Sequence, residues 1–242
     1  MSAVFITGVS SGIGHALAKA YLNEGGRVWG VSRRVPEDLT SHPNFHFAAL
    51  DLNLPLEIPA VLTRLLGEVT ALDLVILNAG RLGEFGDLAE ADLAELKTTM
   101  QINLWSNKLI LDFLYQANIA LRQVVAISSG ASVNGNRGWS GYSISKAALN
   151  MLIKLYAKER PETHFCALAP GIVDTEIQDE LLKREPDDRF PAVESLRSKR
   201  GTSEMPTPEA AAASLIKAIA RLPELIESGD YADVRKPPLA EA

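Results

Sequence analysis

Thr7-Gly8-Val9-Ser10-Ser11-Gly12-Ile13-Gly14 follows the short apolar run Ala3–Thr7 and opens a pattern of helical period marked by Ile13, Leu17, Ala20 and Tyr21. A strand that turns through glycines directly into a helix has a physical use. Small residues let the backbone come close to a pyrophosphate, and the helix start offers unpaired N–H groups and a partial positive charge to the anion. Three glycines alone are weak evidence, because turns also collect glycine for positive φ. The strand–loop–helix setting gives them meaning. Gly8, Ser10, Ser11, Gly12, Ile13 and Gly14 are therefore expected to cradle the phosphates of a dinucleotide.

Outward from this loop, short apolar runs alternate with helical patterns. Strands are expected at Ala3–Thr7, Arg27–Ser32, Phe45–Leu50, Leu72–Leu77, Val124–Ser128 and His164–Leu168. Several are nearly apolar throughout, as strands covered on both faces must be. Helices are expected after the glycine loop, over Pro55–Glu68, over Asp92–Ala117, over Tyr142–Glu159, and from Pro208 to Arg221 with Thr207 as N-cap. Such alternation implies right-handed βαβ units, hence an α/β fold with a doubly wound parallel sheet and helices on both faces. The polar stretch 176–206 interrupts the alternation where a lid could lie, and Tyr231–Val234 reads as one last strand.

The 242 residues, 47% hydrophobic and without a low-complexity tract, suit one domain over 1–242. A net charge of −6 argues against a nucleic-acid partner, whose phosphates demand a clustered basic surface. The lone Cys166, in an apolar run, reads as a buried filler and cannot form an internal disulfide, which suits a reducing compartment. No apolar run approaches the length of a bilayer span, and no targeting signal precedes the first strand. The expectation is a cytoplasmic protein with no membrane partner. His15, His42, His46 and His164 are scattered without ligand spacing, so no metal is expected.

A dinucleotide fold chooses its cofactor at the end of the second strand, where an acidic residue would bind the ribose 2′-hydroxyl and repel a 2′-phosphate. This chain has Ser32-Arg33-Arg34 there. The planar fork of arginine suits phosphate, so NADP(H) is expected over NAD(H).

Tyr142-Ser143-Ile144-Ser145-Lys146 places a phenol and an amine four residues apart, one helical turn from each other on one face. A phenol near its reference pKa of about 10 is a poor acid or base at neutral pH. A neighbouring ammonium would lower that value. Ser129 stands thirteen residues earlier at the carboxyl end of a strand, where open α/β sheets bind ligands. Asn103 sits inside a long helical pattern that asparagine does not favour.

Taken in register, these segments resemble the short-chain dehydrogenase/reductase family, from about residue 4 to about residue 220. The glycine loop fits the TGxxxGxG pattern, and Asn103, Ser129, Tyr142 and Lys146 match the family's catalytic tetrad. The resemblance implies a Rossmann-like sheet of seven strands in the order 3-2-1-4-5-6-7. It implies that Asp51 and Leu52 contact adenine and that Asn78, Ala79 and Gly80 border the cofactor. It further implies that Pro170, Ile172 and Thr175 lie at the nicotinamide, with Ile172 and Thr175 on its carboxamide. Many NADP-dependent relatives carry a basic residue in the glycine loop, where this chain has Ser11.

On this reading the protein is an NADP(H)-dependent carbonyl reductase or alcohol dehydrogenase for a small ketone or secondary alcohol. Tyr142 would be the general acid/base, with Ser129 on the same oxygen. Lys146 would lower the phenol pKa and hold the nicotinamide ribose, and Asn103 would anchor a relay water. Family habit further implies a homodimer or homotetramer. Two other readings carry less. A redox-sensing NADP(H)-binding regulator without turnover would tend to have lost the tyrosine or lysine, and a sugar-nucleotide epimerase would need a larger C-terminal part. Trp139 and Leu82–Phe85 either wall the substrate pocket or pack against the sheet.

Overall fold

The structure, a computed structural model, describes residues 2–241. Seven parallel strands form one sheet: β1 (Ala3–Thr7), β2 (Arg27–Ser32), β3 (Phe45–Ala49), β4 (Leu74–Leu77), β5 (Gln123–Ile127), β6 (His164–Ala169) and β7 (Tyr231–Asp233). Their spatial order is β3-β2-β1-β4-β5-β6-β7, the expected Rossmann-like arrangement.

The near-continuous apolar strands are explained by the two cores they separate. Along β1, Phe5 enters one core while Val4 and Ile6 enter the other. Along β4, Val75 and Leu77 face the first, and Leu74 and Ile76 the second. A period-two strand with helices on both faces has no side left for polar residues. The first core is covered by α2 (Ile58–Leu66), α4 (Ser106–Gln116) and α6 (Ser140–Glu159). The second is covered by α1 (Gly12–Asn23) and α9 (Pro208–Leu225), which pack on each other. Thr207 caps α9 as expected, its Oγ1 accepting from the Ala210 N–H at 3.3 Å.

Several boundaries differ from the sequence reading. The run Leu72–Leu77 is broken at Asp73, whose side chain accepts from the Ala3 N–H at 2.8 Å. Ala71–Leu72 pairs instead with Ala120–Leu121 in a separate two-stranded ladder. The first turn expected at Pro55 is irregular, and α2 starts at Ile58 with Pro59 in its first turn. The helix expected over Asp92–Ala117 is α3 (Leu93–Met100), a π turn (Gln101–Trp105), then α4. Its cause is Asn103, fully buried and drawn toward partners off the helix, because a π turn absorbs one extra residue without ending the helix.

The stretch 176–206 is ordered into α7 (Glu176–Leu182) and α8 (Pro191–Lys199), with the four-residue α5 (Ala131–Asn134) earlier in the chain. Its apolar residues Leu181, Leu182, Phe190 and Val193 form a third cluster with Leu82, Phe85, Trp139 and Tyr142. Among the described residues no helix is long and apolar enough to cross a membrane.

Candidate active site

A cleft of about 560 Å³ opens along the carboxyl ends of the strands. The glycine loop forms one wall, and small residues are what its geometry needs. Gly8 has φ +78°, and a Cβ there would lie 2.9 Å from Asn78 Nδ2 and 3.0 Å from Ala79 Cα. A Cβ on Gly14 would lie 2.3 Å from the Gly8 carbonyl oxygen and 2.3 Å from Asn78 Nδ2, so α1 can seat against the loop only through glycine. Asn78 braces the same loop. Its Nδ2 donates to Thr7 O at 2.9 Å, while the backbone N–H groups of Asn78 and Ala79 donate to Thr7 Oγ1 at 3.0 Å.

Most residues expected at a cofactor do line this one cleft. Gly8, Ser10, Ser11, Gly12, Ile13, Arg33, Arg34, Asp51, Leu52, Asn78, Ala79, Gly80, Pro170 and Thr175 all contribute, as do Ser129, Tyr142 and Lys146. Gly14 lies behind the wall as a packing contact. Ile172 is off the wall, and Val173, the next residue, lines it instead. Asn103 is also off the wall.

The two arginines are placed unequally. Arg34 Nη2 donates to Glu176 Oε1 at 2.6 Å and to Ser11 Oγ at 3.1 Å, tying the end of β2 to α7 and to the glycine loop. Arg33 has no ion pair among the described residues and faces the cleft. A dinucleotide therefore has a glycine-lined helix start for its pyrophosphate and two guanidinium groups near the end of β2. That donor set fits a phosphorylated nicotinamide dinucleotide.

At the other end of the cleft, α6 carries Tyr142 and Lys146 one turn apart. Lys146 is 3% exposed, its Nζ donating to the Ile127 carbonyl oxygen at 2.7 Å and lying 5.7 Å from the Tyr142 ring centroid. Burial lowers its pKa to about 8. Tyr142 departs from expectation: its pKa is raised, because desolvation of the buried phenol outweighs a hydrogen bond from Ser129, which lowers it. Lys146 supplies no such lowering here. Its ammonium is itself destabilised by burial and is turned onto Ile127.

Asn103 clamps the segment after Asn78-Ala79-Gly80. Its Oδ1 accepts from Arg81 N at 2.9 Å, and its Nδ2 donates to Arg81 O and to Ser145 Oγ, both at 2.9 Å. Its side chain thus joins that loop to α6, leaving only its backbone carbonyl, which accepts from Asn107 Nδ2 at 2.9 Å, for any relay. Arg81, Ile127 and Ser145 were not foreseen. Their contributions are backbone groups or a common serine, and neither leaves a motif.

Trp139 packs and does not line the cleft. It is 7% exposed and meets Phe85 edge-on, with centroids 4.9 Å apart at 84°. Gly138, at φ +101°, makes this possible, since a Cβ there would lie 2.3 Å from Phe85 Cζ. The cluster packs apolar residues of α7 and α8 against Tyr142. Cys166 is buried in β6 with its thiol pushed up to about 12, chiefly by desolvation, so it is no nucleophile.

Comparison with known proteins converges on one group. The model of the short chain dehydrogenase family matches residues 2–186. An oxidoreductase of Schizosaccharomyces pombe is 32% identical over 194 residues, 72% of either chain. The benzil reductase ((S)-benzoin forming) of Bacillus subtilis is 29% identical over 248 residues, covering 98% of this chain and 99% of its own. Among solved structures, a short chain dehydrogenase/reductase of Saccharomyces cerevisiae superposes with a TM-score of 0.85 at 23% identity, covering 100% of this chain and 99% of that one.

Proposed function

This chain belongs to the short-chain dehydrogenase family of NAD(P)-dependent oxidoreductases, and on that premise we propose that it is an NADP(H)-dependent carbonyl reductase. Its substrate is a small ketone, interconverted with the secondary alcohol, and Tyr142 is the general acid/base. The observation that carries the reading is the meeting of Tyr142, Ser129 and Lys146 in the same cleft as the glycine loop. The benzil reductases among its relatives make an aromatic diketone a reasonable first probe.

The nicotinamide, when bound, supplies or accepts the hydride. The glycine loop and the start of α1 would hold the phosphates of the dinucleotide, Arg33 and Arg34 its 2′-phosphate, and Asp51 and Leu52 would border its adenine. Ile172 and Thr175 would hold its nicotinamide end. In reduction, Tyr142 gives its phenolic proton to the carbonyl oxygen as charge develops there. Ser129 donates a hydrogen bond to the same oxygen and orients it. Its Oγ accepts from the Ala131 N–H at 3.2 Å, so its own proton is the one it can direct toward the Tyr142 phenol or, with substrate present, toward the substrate oxygen. In oxidation the same groups act in reverse, with the phenolate taking the alcohol proton. Lys146, near neutrality in its buried setting, can pass a proton to the phenolate and hold the nicotinamide ribose. The raised pKa leaves Tyr142 in the protonated form that serves as the acid in reduction.

The protein acts as a homodimer or homotetramer. Exposed apolar residues on α6 and beside α4 support that reading.

The test is Tyr142→Phe. It removes the transferable proton and keeps the ring that packs in the aromatic cluster. Turnover of NADPH with benzil should fall by about 10³-fold or more, in line with the loss of a general acid. NADPH binding, followed by nucleotide fluorescence, should persist. Near-normal turnover in the variant would end the acid/base assignment.

A further inference from the structure

Tyr142, Lys146 and Asn150 recur at four-residue steps along α6 and so share one face of the helix. The first two belong to the reaction, and the third is half-buried at the start of a chain of hydrogen bonds. Ser128 Oγ donates to Asn150 Oδ1 at 2.5 Å, Asn150 Nδ2 donates to Ser132 Oγ at 2.9 Å, and Ser132 Oγ donates to the carbonyl oxygen of Ser129 at 2.6 Å. The direction of this chain is set from its far end. A carbonyl can only accept, so the Ser132 proton goes to Ser129 O, and Ser132 Oγ accepts, from Asn150 Nδ2 at 2.9 Å and more distantly from Ser128 Oγ at 3.5 Å. Asn150 Oδ1, at 2.5 Å, is the nearer acceptor for Ser128. Neither aspartate nor leucine could complete it.

The segment so held packs on α6, and the hydrogen-bond chain sets where along that helix it sits. Ser129 is followed by Gly130 and by α5, only four residues long, which ends at Gly135 with φ +64°. Residues 133–137 are exposed. Tyr142 by contrast sits on a twenty-residue helix packed against the sheet. The two hydroxyls that must meet on one substrate oxygen therefore ride on different elements, a short turn and a twenty-residue helix, and contacts between the two must set their register. Displacements well under 1 Å matter at such a site.

We propose that Asn150 is a positioning residue: through Ser132 it fixes the Ser129 backbone to α6, and so keeps the Ser129 hydroxyl in register with the Tyr142 phenol. The inference rests on the acid/base reading above. It adds that the reactive helix carries its own gauge for the serine, two turns beyond the tyrosine.

The experiment is a double-mutant cycle on the whole enzyme with NADPH and benzil. Asn150→Ala and Ser132→Ala are each made alone and in a Ser129→Ala background. Ser132→Ala removes a single hydroxyl at a half-exposed site and so guards against a folding defect in the other variant. With Ser129 present, each should lower kcat about 10-fold, a coupling ordinary for residues in one hydrogen-bond network, with KM for NADPH unchanged. In alcohol oxidation the rising acid limb of the pH profile should move to higher pH, because Tyr142 loses the hydrogen bond that lowers its pKa. In the Ser129→Ala background neither variant should lose anything further. Equal losses with and without Ser129, or wild-type kcat and pH profile in both single variants, would overturn the proposal. Turnover surviving in Tyr142→Phe would remove the underlying reading instead, so the two failures are distinct.

Discussion

Lys146 Nζ donates to the carbonyl oxygen of Ile127 at 2.7 Å, joining the second turn of α6 to the last residue of β5. The contact satisfies one of three amine protons in a place water barely reaches, and burial draws the pKa from 10.5 to about 8. This sets a sign for stability. Between those two values the unfolded chain holds a proton that the folded chain has lost, so folding becomes more favourable as pH rises through the window. The gain is complete above 10.5 and is lost as pH falls through 8. At about 1.4 kcal/mol per pKa unit it amounts to about 3 kcal/mol. Urea denaturation of wild type and Lys146→Met at pH 7 and pH 10.5, without nucleotide, should show their stability difference changing by that order. Parallel curves would show that burial does not depress this amine.

The glycine loop makes a second prediction, because its glycines are required for different reasons. A Cβ on Gly14 would meet the Gly8 carbonyl oxygen at 2.3 Å, a backbone atom that cannot swing aside. On Gly12 it would meet nothing nearer than Thr175 Cγ2 at 3.5 Å, and only φ +59° is unfavourable. Gly12→Ala should therefore cost about 1 kcal/mol of left-handed strain. Gly14→Ala should cost about 3 kcal/mol by forcing α1 off the loop, and should abolish NADPH binding. Chemical denaturation and nucleotide titration of both variants decide it. Equal effects would mean the loop yields more easily than its contacts imply.

What could be read from residues alone divides along physical lines. The sheet between two helix layers was legible because Val4, Phe5 and Ile6, and Leu74 to Leu77, must be apolar on both sides to lie there, whereas the strand order came from the family resemblance. Gly8, Tyr142 and Lys146 were legible because close packing and helical spacing restrict residue type. The break at Asp73 was not, since it depends on a single side chain finding the Ala3 N–H. Nor was the π turn, which follows from Asn103 reaching Arg81 and Ser145. The direction of the Tyr142 shift was misjudged for a similar reason. Spacing reports that an amine is near the phenol, but not that both are dry. The side chain lining the cleft after the turn at Gly171, φ +82°, is Val173 rather than Ile172, since that turn decides which of two adjacent side chains faces inward.

Cofactor choice is open to a direct measurement. Arg34 is shared with Glu176 and Ser11, while Arg33 faces the cleft without an ion pair among the described residues. A charge-assisted hydrogen bond contributes about 1.5–3 kcal/mol, so Arg33→Ala should lower kcat/KM for NADPH by about 10-fold to 100-fold and leave NADH nearly unchanged. Glu176→Gln removes a carboxylate that holds Arg34 and repels a 2′-phosphate. It should raise the NADPH to NADH ratio several-fold, more so at low salt. A wild-type enzyme that uses both nucleotides equally, or an Arg33→Ala variant that loses both alike, would remove the 2′-phosphate role.

The face of α6 turned away from the chemistry carries the last prediction. Ile144, Met151 and Leu155 lie on it at steps of seven and four residues, 46%, 56% and 54% exposed, and Trp105 on the adjoining π turn is 47% exposed. Large apolar side chains grouped on neighbouring elements are seldom left in water by a monomer. A two-fold axis between copies would bury each residue against its own counterpart or a neighbour, and so doubles the effect of any single substitution. Placing a charge there should then dissociate the assembly, because a buried unpaired carboxylate costs several kcal/mol on each side. Sedimentation should show a dimer or tetramer for wild type and a monomer for Trp105→Glu/Met151→Glu with unchanged circular dichroism. A wild-type monomer at micromolar concentration, or a variant that still assembles, would place the contact elsewhere or nowhere.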